Sequence, residues 1–328
     1  MKVLVTGATG FLGEWLAERL VKEGHHVQVL CRNPSKLSAE LQKQVHVICG
    51  DIVEKQDLEK ASLGCEVVFH LAGYIGYTSS ERQQMEQVNV LGTENAVHGA
   101  LKAGVRRFIH MSSVVTVGAS PTPEVLNENS TYNLAPYNFG YPETKRAAEQ
   151  LVVQAVQSKG LDSIILNPST IYGAGDALKG SRNTQLKVAR GRFPFYTRGG
   201  VSVVNVEAIV DACIQACTRG KTGERYILSG ENVTIQQLFQ MIAHEAGVKP
   251  PRFFLPNTIV RSLGQLGDFL EKRGKKGPVN SESAYMSTLY HWFDSTKAAQ
   301  ELSFKSQSAK ESIKASVQWM KQEGLLNP

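Results

Sequence analysis

The strongest constraint on the fold is a glycine-rich turn at the start of the chain. A short β-branched run over residues 2–6 leads directly into this turn, and a helical pattern follows it. Glycines at Gly7, Gly10 and Gly13 permit a tight turn, close approach of a diphosphate to backbone N–H groups, and close packing of helix on strand. In this context the pattern predicts a dinucleotide-binding unit. The predicted contacts come from Gly7, Thr9, Gly10, Phe11, Leu12 and Gly13.

The N-terminal half alternates short β-branched runs with longer helical patterns. This alternation is typical of an α/β fold with a doubly wound parallel sheet, whose ligand crevice lies at the carboxyl ends of the strands. We predict strands at residues 2–6, 26–31, 45–49, 67–70, 107–112 and 163–167. We predict helices at residues 11–23, 57–62, 88–103 and 141–157.

After Pro168 the pattern becomes irregular, which indicates a second unit. We predict short strands at 202–205 and 225–229, and helices near 183–191 and at 235–246, 257–273, 295–301 and 309–323. We therefore predict a Rossmann-type domain over residues 1–168, to which 201–229 return. A smaller, discontinuous substrate-binding lobe would consist of residues 169–200 and 230–328.

Composition narrows the function classes. The five cysteines are an odd number without paired-ligand spacing, so we expect small core residues and no metal site. No stretch approaches the ~18 to 20 apolar residues of a membrane span, so we expect a cytoplasmic protein without a membrane partner. The net charge of +6 is modest and implies no nucleic acid. A basic stretch from Lys179 to Arg198 is interpreted as a solvated face, with an anionic substrate group as the alternative.

The residues after the second strand bear on the choice of cofactor. An enzyme that selects NAD usually carries a carboxylate about 20 residues beyond the glycine turn, where it binds the ribose hydroxyls. Here that place holds Cys31 and then Arg32, with Ser35 and Lys36 close behind. A guanidinium can pair with a 2′-phosphate, so NADP(H) is preferred. NAD(H) stays possible if Arg32 is an ordinary loop cation.

Two further strand ends would face the cofactor. Asp51 and Ile52 follow the third strand, where a carboxylate could reach the adenine amino group or cap its own loop. Leu71, Ala72 and Gly73 follow the fourth strand, and small residues there suit backbone that passes close beneath a bound dinucleotide.

A tyrosine and a lysine four residues apart form the candidate catalytic pair. On a helix Tyr141 and Lys145 share a face, and a nearby ammonium would lower the tyrosine pKa from its ordinary value near ~10. A surface pair is the commoner explanation of such spacing. The fifth strand, however, ends in Ser112 and Ser113, which places hydroxyls at the same sheet edge.

Over nearly its whole length, the sequence resembles the extended short-chain dehydrogenases/reductases, a group within the NAD-dependent epimerase/dehydratase superfamily. Several motifs occur in the family's order, namely the glycine turn at 6–13, Asp51-Ile52, 70–73, Asn89 to Thr93, Ser112-Ser113, Tyr141 to Lys145, and 167–173.

The resemblance implies roles for the matching residues. Ser113 would hold the substrate oxygen, and Tyr141 would give it a proton or take one. Lys145 would bind the nicotinamide ribose and tune Tyr141. Pro168 and Ser169 would lie beside the nicotinamide carboxamide, and Asn89 would mostly order the helix beneath the site. Asn89 and Ser112 are also predicted to contact the cofactor. Ser112 is the less favoured substitute for Ser113, and its hydroxyl could instead bond backbone.

Departures from the family pattern indicate which branch of the family the sequence resembles. Sugar-nucleotide epimerases usually carry asparagine where Thr170 stands, and an arginine is common in place of Asn167. Residues 167–170 and 291–298 look more like the dihydroflavonol-reductase-like branch and its 3β-hydroxysteroid dehydrogenase relatives. The resemblance therefore implies an NADP(H)-dependent carbonyl reductase or alcohol dehydrogenase with a small-molecule substrate.

Two other functions and one assembly remain open from the sequence. The first alternative function is a nucleotide-sugar epimerase or dehydratase, and the second, less favoured, is a non-catalytic NADP-sensing protein. A homodimer is also possible, because relatives often pair through helices that correspond to residues 90–103 and 141–157.

Overall fold

The computed structural model describes residues 1–178, 182–275, 277 and 279–326. The strands are β1 (Lys2–Thr6), β2 (His26–Cys31), β3 (His46–Cys49), β4 (Val67–His70), β5 (Arg107–Met111), β6 (Val125–Leu126), β7 (Ser163–Pro168), β8 (Thr170–Tyr172), β9 (Phe195–Thr197), β10 (Gly200–Asn205), β11 (Arg225–Leu228), β12 (Glu231–Thr234), β13 (Phe253–Leu255) and β14 (Tyr290–Phe293). The helices are α1 (Phe11–Lys22), α2 (Ala39–Gln44), α3 (Lys55–Ser62), α4 (Arg82–Met85), α5 (Gly92–Ala103), α6 (Gly140–Lys159), α7 (Asn183–Ala189), α8 (Val206–Gln215), α9 (Ile235–Ala246), α10 (Asn257–Glu271), α11 (Ser281–Met286), α12 (Thr296–Leu302) and α13 (Ala309–Gln322).

A seven-stranded parallel sheet forms the centre of the N-terminal domain. Its strand order is β11-β7-β5-β4-β1-β2-β3, so the connections run in opposite directions on the two sides of β1. Ligands bind at such a reversal point, beyond the carboxyl ends of the strands. The predicted α/β doubly wound fold is therefore confirmed, and the crevice lies between the segments that follow β1 and β4.

Apolar side chains alternate along β1 and fill two cores, one on each face of the sheet. Val3 and Val5 contribute to the face covered by α1 and α8, whereas Leu4 contributes to the face covered by α3, α5 and α6. A parallel sheet covered on both faces requires such apolar strands. The second face also carries the polar side chains of the candidate site.

The smaller lobe is built around a second sheet. Its order is β12-β10-β14-β6, with β8 paired to β10, and β9 and β13 form a separate two-stranded sheet. Helices α9 and α13 cover it through apolar side chains that include Leu238, Ile242 and Val317. None of the helices in the described part of the chain is long and apolar enough to cross a membrane.

The boundary between the two units differs from the predicted one. Helix α8 packs on α1, and β11 completes the large sheet, as expected for a return of the chain. Strand β10, which was expected to return as well, instead pairs with β8, β12 and β14. Strand β6 also joins the second sheet, through Trp292 and Phe293, although it lies inside the predicted N-terminal domain.

Helices α10 and α11 form a hairpin on the smaller lobe. Close approach depends on two glycines of α10, because a Cβ on Gly264 would lie 2.8 Å from the Cβ of Ala284. A Cβ on Gly267 would lie 1.8 Å from the Val279 carbonyl oxygen. This hairpin reaches over the start of α6, where the candidate catalytic residues begin.

Candidate active site

The glycine turn has the shape required to hold a diphosphate. Gly7 has a φ of +77°, and a Cβ there would lie 2.7 Å from the Ala72 nitrogen. A Cβ on Gly13 would lie 2.1 Å from the Gly7 carbonyl oxygen. No side chain caps the start of α1, and the N-terminal end of a helix carries a positive partial charge that favours an anion. The turn therefore fits the diphosphate of a dinucleotide.

His70 fixes the segment opposite the glycine turn. Its Nδ1 lies 2.9 Å from the Thr6 hydroxyl, and its Nε2 lies 3.1 Å from the Thr93 hydroxyl. Burial lowers the pKa of His70 to about 3, so the ring is neutral. The Thr6 hydroxyl also accepts a hydrogen bond from the Ala72 nitrogen, at 3.3 Å. Residues 71–73 are thereby held against Gly7.

Arg32 and Asp51 form an ion pair at the ends of β2 and β3. The distance from Arg32 Nη1 to Asp51 Oδ2 is 3.6 Å, and 68% of the Arg32 side chain is exposed. Asp51 also accepts a hydrogen bond from the Val53 nitrogen at 3.2 Å, so it does cap its own loop. Lys36 is exposed, and Ile52 packs beside Gly92 of α5.

Tyr141, Ser113 and Lys145 gather at the carboxyl edge of the large sheet. The Ser113 hydroxyl lies beside the Tyr141 side chain and lowers the pKa of the Tyr141 phenol. Lys145 Nζ donates to the Met111 carbonyl oxygen at 2.7 Å, and a Cβ on Gly73 would lie 4.0 Å from Nζ. The structure thus brings together the three residues that the sequence nominated as catalytic.

Burial sets the protonation states of this group. It raises the pKa of Tyr141 to about 12, although the hydrogen bond with Ser113 acts in the opposite direction. It lowers the pKa of Lys145 to about 8, and the Glu149 carboxylate opposes that shift. Loss of water therefore dominates the shift of the Tyr141 pKa, and the predicted effect of the Lys145 ammonium on that pKa stays a prediction. At neutral pH Tyr141 keeps its proton.

Asn89 ties the loop after β4 to the catalytic helix. It lies in a π-helical segment, Glu86–Leu91, between α4 and α5. Its Oδ1 accepts from the Tyr74 nitrogen at 2.8 Å, and its Nδ2 donates to the Tyr74 carbonyl and to the Thr144 hydroxyl, at 3.0 and 3.1 Å. Asn89 therefore orders both the loop and the first turns of α6, and direct contact with a cofactor stays a prediction.

Ser112 belongs to a buried network under α6. Its hydroxyl donates to Glu149 Oε2 at 2.6 Å, rather than to backbone or toward Tyr141. Thr116 and Asn167 donate to the same carboxylate oxygen, at 2.8 and 3.0 Å, and Arg225 pairs with Oε1. The Ser112 hydroxyl therefore donates to Glu149 and not, as expected, to backbone. Contact of Ser112 with a cofactor stays a prediction.

The end of β7 presents an unsatisfied hydroxyl. The Ser169 nitrogen donates to the Leu228 carbonyl at 3.1 Å, which fixes the backbone after Pro168. Its buried hydroxyl has no hydrogen-bond partner within the described ranges. Buried polar groups are normally paired, so an unpaired one at a strand end is consistent with a ligand contact.

The sequence pattern did not single out two carboxylates that contact the inner face and the start of α6. Glu149 lies on the same helical face as Tyr141 and Lys145, so its spacing was a usable signal. Glu282 of α11 gave no such signal, because 142 residues separate it from its partner. Its carboxylate accepts a hydrogen bond from the Gly140 nitrogen at 3.1 Å, and burial raises its pKa to about 7.

The basic stretch is divided between structural and exposed cations. The Arg182 guanidinium is buried 4.0 Å from the centre of the Tyr172 ring, and Arg190 Nε donates to the Leu325 carbonyl. Exposed cations of the stretch are Lys187, Arg192 and Arg198. Lys179 lies outside the described residues.

A dinucleotide cradle and a tyrosine–lysine–serine group on a doubly wound sheet define a class of nicotinamide-dependent enzymes. The family model of the NAD-dependent epimerase/dehydratase family matches residues 3–229. The chain belongs to this family. Within it the chain is an extended short-chain dehydrogenase/reductase, and dihydroflavonol reductase-like and 3β-hydroxysteroid dehydrogenase-like proteins are among its relatives.

Individual relatives match over most of the chain. Sterol demethylase protein B of Methylococcus capsulatus is 31% identical over 99% of this chain and 100% of that protein. The 4-hydroxy-2-methyl-3-oxo-4-farnesyl-3,4-dihydroquinoline-1-oxide ketoreductase of Stigmatella aurantiaca is 28% identical over 82% of this chain and 80% of that protein. The crystal structure of gox2253 has a TM-score of 0.87 and 32% identity, and covers 99% of both chains.

Proposed function

We propose that the protein is an NADP(H)-dependent oxidoreductase that reduces a carbonyl group, or oxidises the corresponding alcohol, on a largely apolar small molecule. The placement of Tyr141, Ser113 and Lys145 at one sheet edge carries this proposal. This placement brings a proton donor and a second hydroxyl to the edge where the cradle for a dinucleotide opens. The similarity to a ketoreductase supports the same reaction class.

The residues of the site divide the chemistry among them. When bound, a nicotinamide dinucleotide supplies or accepts the hydride. Tyr141 is protonated at neutral pH and donates its proton to the substrate oxygen in the direction of reduction. Ser113 donates a hydrogen bond that stabilises negative charge on the same oxygen. Lys145, held by the Met111 carbonyl, supplies a buried cation beside Tyr141.

The preference for NADP(H) rests on the end of β2. Arg32 is exposed there, beyond a strand whose end carries Cys31 in place of the carboxylate typical of NAD enzymes. Asp51 holds the guanidinium at this edge without burying it. An exposed, loosely paired guanidinium can form an ion pair with the doubly charged 2′-phosphate.

An apolar substrate is favoured by the residues around the start of α6. Tyr137, Phe139 and Tyr285 form an aromatic cluster there, with ring centroids 4.4 to 5.8 Å apart. Thr170 lacks the side-chain amide that sugar-nucleotide epimerases usually present at this position. Aromatic surface without that amide is better matched to an apolar carbonyl compound than to a diphosphate.

The first test is the Tyr141→Phe variant, assayed by NADPH absorbance with a panel of carbonyl compounds. We expect turnover to fall at least ~100-fold because the general acid is lost, while NADPH binding is retained. Tyr226→Phe is the matched control, since this buried tyrosine bonds Glu301 away from the site. Turnover by Tyr141→Phe equal to that of the unmodified protein would remove Tyr141 from the mechanism.

The epimerase or dehydratase alternative has its own readout. The exposed cations Lys187, Arg192 and Arg198 favour it, since they could meet a diphosphate. Conversion of a sugar nucleotide without net loss of NADPH would replace the proposed reaction. NADPH binding with no turnover of either substrate class would instead indicate the non-catalytic sensor.

A further inference from the structure

Helix α10 exposes a line of apolar side chains to solvent. Ile259, Leu266 and Phe269 are 47%, 47% and 49% exposed, and Leu263 and Leu270 lie half-buried among them. At 3.6 residues per turn these five side chains occupy roughly 120° of the helix surface. We call them the α10 stripe. Large apolar surface of this kind usually marks an interaction site.

The exposed members of the stripe, Ile259, Leu266 and Phe269, contribute little to packing within the protein. The buried side of α10 carries Val260, Gly264 and Gly267, and the two glycines contact the residues of the hairpin directly. The inner face of the helix is therefore already filled. The apolar stripe faces outward, where contact with water is unfavourable.

The strand that leads into α10 adds exposed aromatic surface. Phe253 and Phe254 of β13 are 62% and 46% exposed. Only Leu255 and Pro256 separate them from the first residue of the helix. Aromatic side chains beside an amphipathic helix are typical of segments that lie at a membrane surface.

Exposed cations stand before and after the stripe. Arg252 precedes β13, and Lys272, Arg273 and Lys275 follow the stripe, whereas the Arg261 guanidinium lies over the Tyr285 ring, 4.8 Å from its centre. The Arg273 guanidinium lies 4.1 Å from the centre of the Phe269 ring, so charge and apolar surface adjoin. The nearby carboxylates are Asp268, which accepts from the Ser281 nitrogen, and Glu271, which accepts from the Ser80 hydroxyl. The cations outnumber these two carboxylates, so the local charge is positive.

This charge distribution distinguishes between two possible partners of the surface, a second copy of the chain and an anionic bilayer. A symmetric pair of α10 helices would place like charges opposite each other, because cations stand at both ends of the stripe. In an anionic bilayer, the apolar stripe can be buried at the boundary of the acyl chains while the cations pair with lipid phosphates. We propose that α10 and Phe253–Phe254 bind the surface of a bilayer containing anionic lipids, lying in its interface without crossing it.

The proposal differs from the sequence-based expectation of no membrane partner. That expectation considered only spans of ~18 to 20 apolar residues, whereas an interfacial helix needs one apolar side and flanking cations. The same hairpin carries Glu282 and Tyr285 to the start of α6. If the proposed function also holds, the bilayer would lie beside the entrance used by an apolar substrate.

The test is flotation of the full-length protein with vesicles. One set contains phosphatidylcholine alone, and the other contains equal amounts of phosphatidylcholine and phosphatidylglycerol. We expect binding to the anionic vesicles to be at least ~10-fold stronger, and to be lost in about 0.5 M salt, because each basic side chain contributes about fivefold near an anionic surface. Equal binding to both sets, or none to the anionic set, would overturn the proposal.

Two variants locate the binding surface. Lys272→Glu/Arg273→Glu removes two exposed cations, so we expect affinity for anionic vesicles to fall at least about 25-fold. Leu266→Ser/Phe269→Ser should weaken it at least ~10-fold. Leu63→Ser is the control, since Leu63 is 58% exposed on the other domain and its loss should change nothing.

Folding and assembly are checked on the same samples. Circular dichroism reports the fold, and the charge-reversal variant alters only exposed side chains, so it keeps the test valid if the serine variant unfolds. Sedimentation reports mass. Variants that dissociate an oligomer while vesicle binding stays unchanged would assign the stripe to a second copy of the chain. None of these readouts uses enzymatic activity, so failure of the proposed function is a separate result.

Discussion

His70 and His110 lie side by side on β4 and β5, with ring centroids 5.8 Å apart. His70 has two hydroxyl partners, whereas neither ring nitrogen of His110 has a partner among the residues that the structure describes. Burial lowers the pKa of His110 well below its ordinary value, and the charge on Lys145 acts in the same direction. Both rings therefore stay neutral beneath the catalytic group.

The neutral histidines predict a loss of stability in acid. The folded pKa lies below the ordinary value near 6.5, so as pH falls the unfolded state takes up protons that the folded state excludes. Between about pH 7.5 and 5.5 each ring should remove about 1.4 kcal/mol from the free energy of unfolding. His110→Phe should abolish one such loss in urea titrations.

His46→Phe provides the control for that titration, because His46 is exposed at the start of the edge strand β3. The His46→Phe variant should lose as much free energy of unfolding between the two pH values as the unmodified protein does. If His110→Phe lost as much stability between the two pH values as the unmodified protein, His110 would not be a buried neutral base.

The proposed preference for NADP(H) depends on Arg32. We predict that Arg32→Ala weakens NADPH binding about 10- to 100-fold, since a hydrogen bond to a charged group contributes about 1.5 to 3 kcal/mol. NADH has no 2′-phosphate, so its affinity should change little. Titration of both cofactors, with exposed Lys43→Ala as control, measures the difference. Equal losses for NADPH and NADH would refute the assignment.

At the level of elements, helix α6 organises the site. Tyr141, Lys145 and Glu149 recur every four residues along one face, and the face lies over the ends of β5 and β7. Glu282 and Asn89 hold the start of this helix from two different segments. The helix therefore positions both the candidate catalytic residues Tyr141 and Lys145 and the buried Glu149 carboxylate.

The Glu149 network predicts non-additive stability effects. Glu149→Gln leaves the Arg225 cation without its partner, so we expect a loss of about 3 to 5 kcal/mol in the free energy of unfolding. The double variant Glu149→Gln/Arg225→Met removes both charges and should lose less than the two single variants combined. Glu143→Gln, on the same helix outside this network, is the control. Strict additivity would show that the pair is uncoupled.

Most long elements could be predicted from the sequence, and most short ones could not. Strands β1, β2 and β4 have the predicted bounds, because continuous apolar runs mark strands covered on both faces. Strands β6, β8, β9 and β13 have only two or three residues, too few to show a period. The helix predicted from residue 88 becomes α-helical only at Gly92, because its first residues belong to the π-helical segment Glu86–Leu91, which no periodicity signals.

On the scale of the whole molecule, distance along the chain limited what the sequence revealed. The glycine turn and the Tyr141–Lys145 pair are local patterns, so a single window suffices to find them. Arg225 lies 76 residues from Glu149, and Glu282 lies 142 residues from Gly140. These partners meet only because β11 joins β7 and the α10–α11 hairpin reaches the start of α6. The sequence around these residues contains no pattern that predicts these two contacts.

The late position of β11 in the chain has a consequence for the nascent protein. Six strands of the large sheet and the catalytic helix emerge from the ribosome before residue 225, and at ordinary rates of synthesis the interval after β7 lasts on the order of seconds. Throughout that interval β7 is an open edge and Glu149 lacks its counter-ion. The network around Glu149 can therefore be completed only after β11 has been synthesised and has paired with β7.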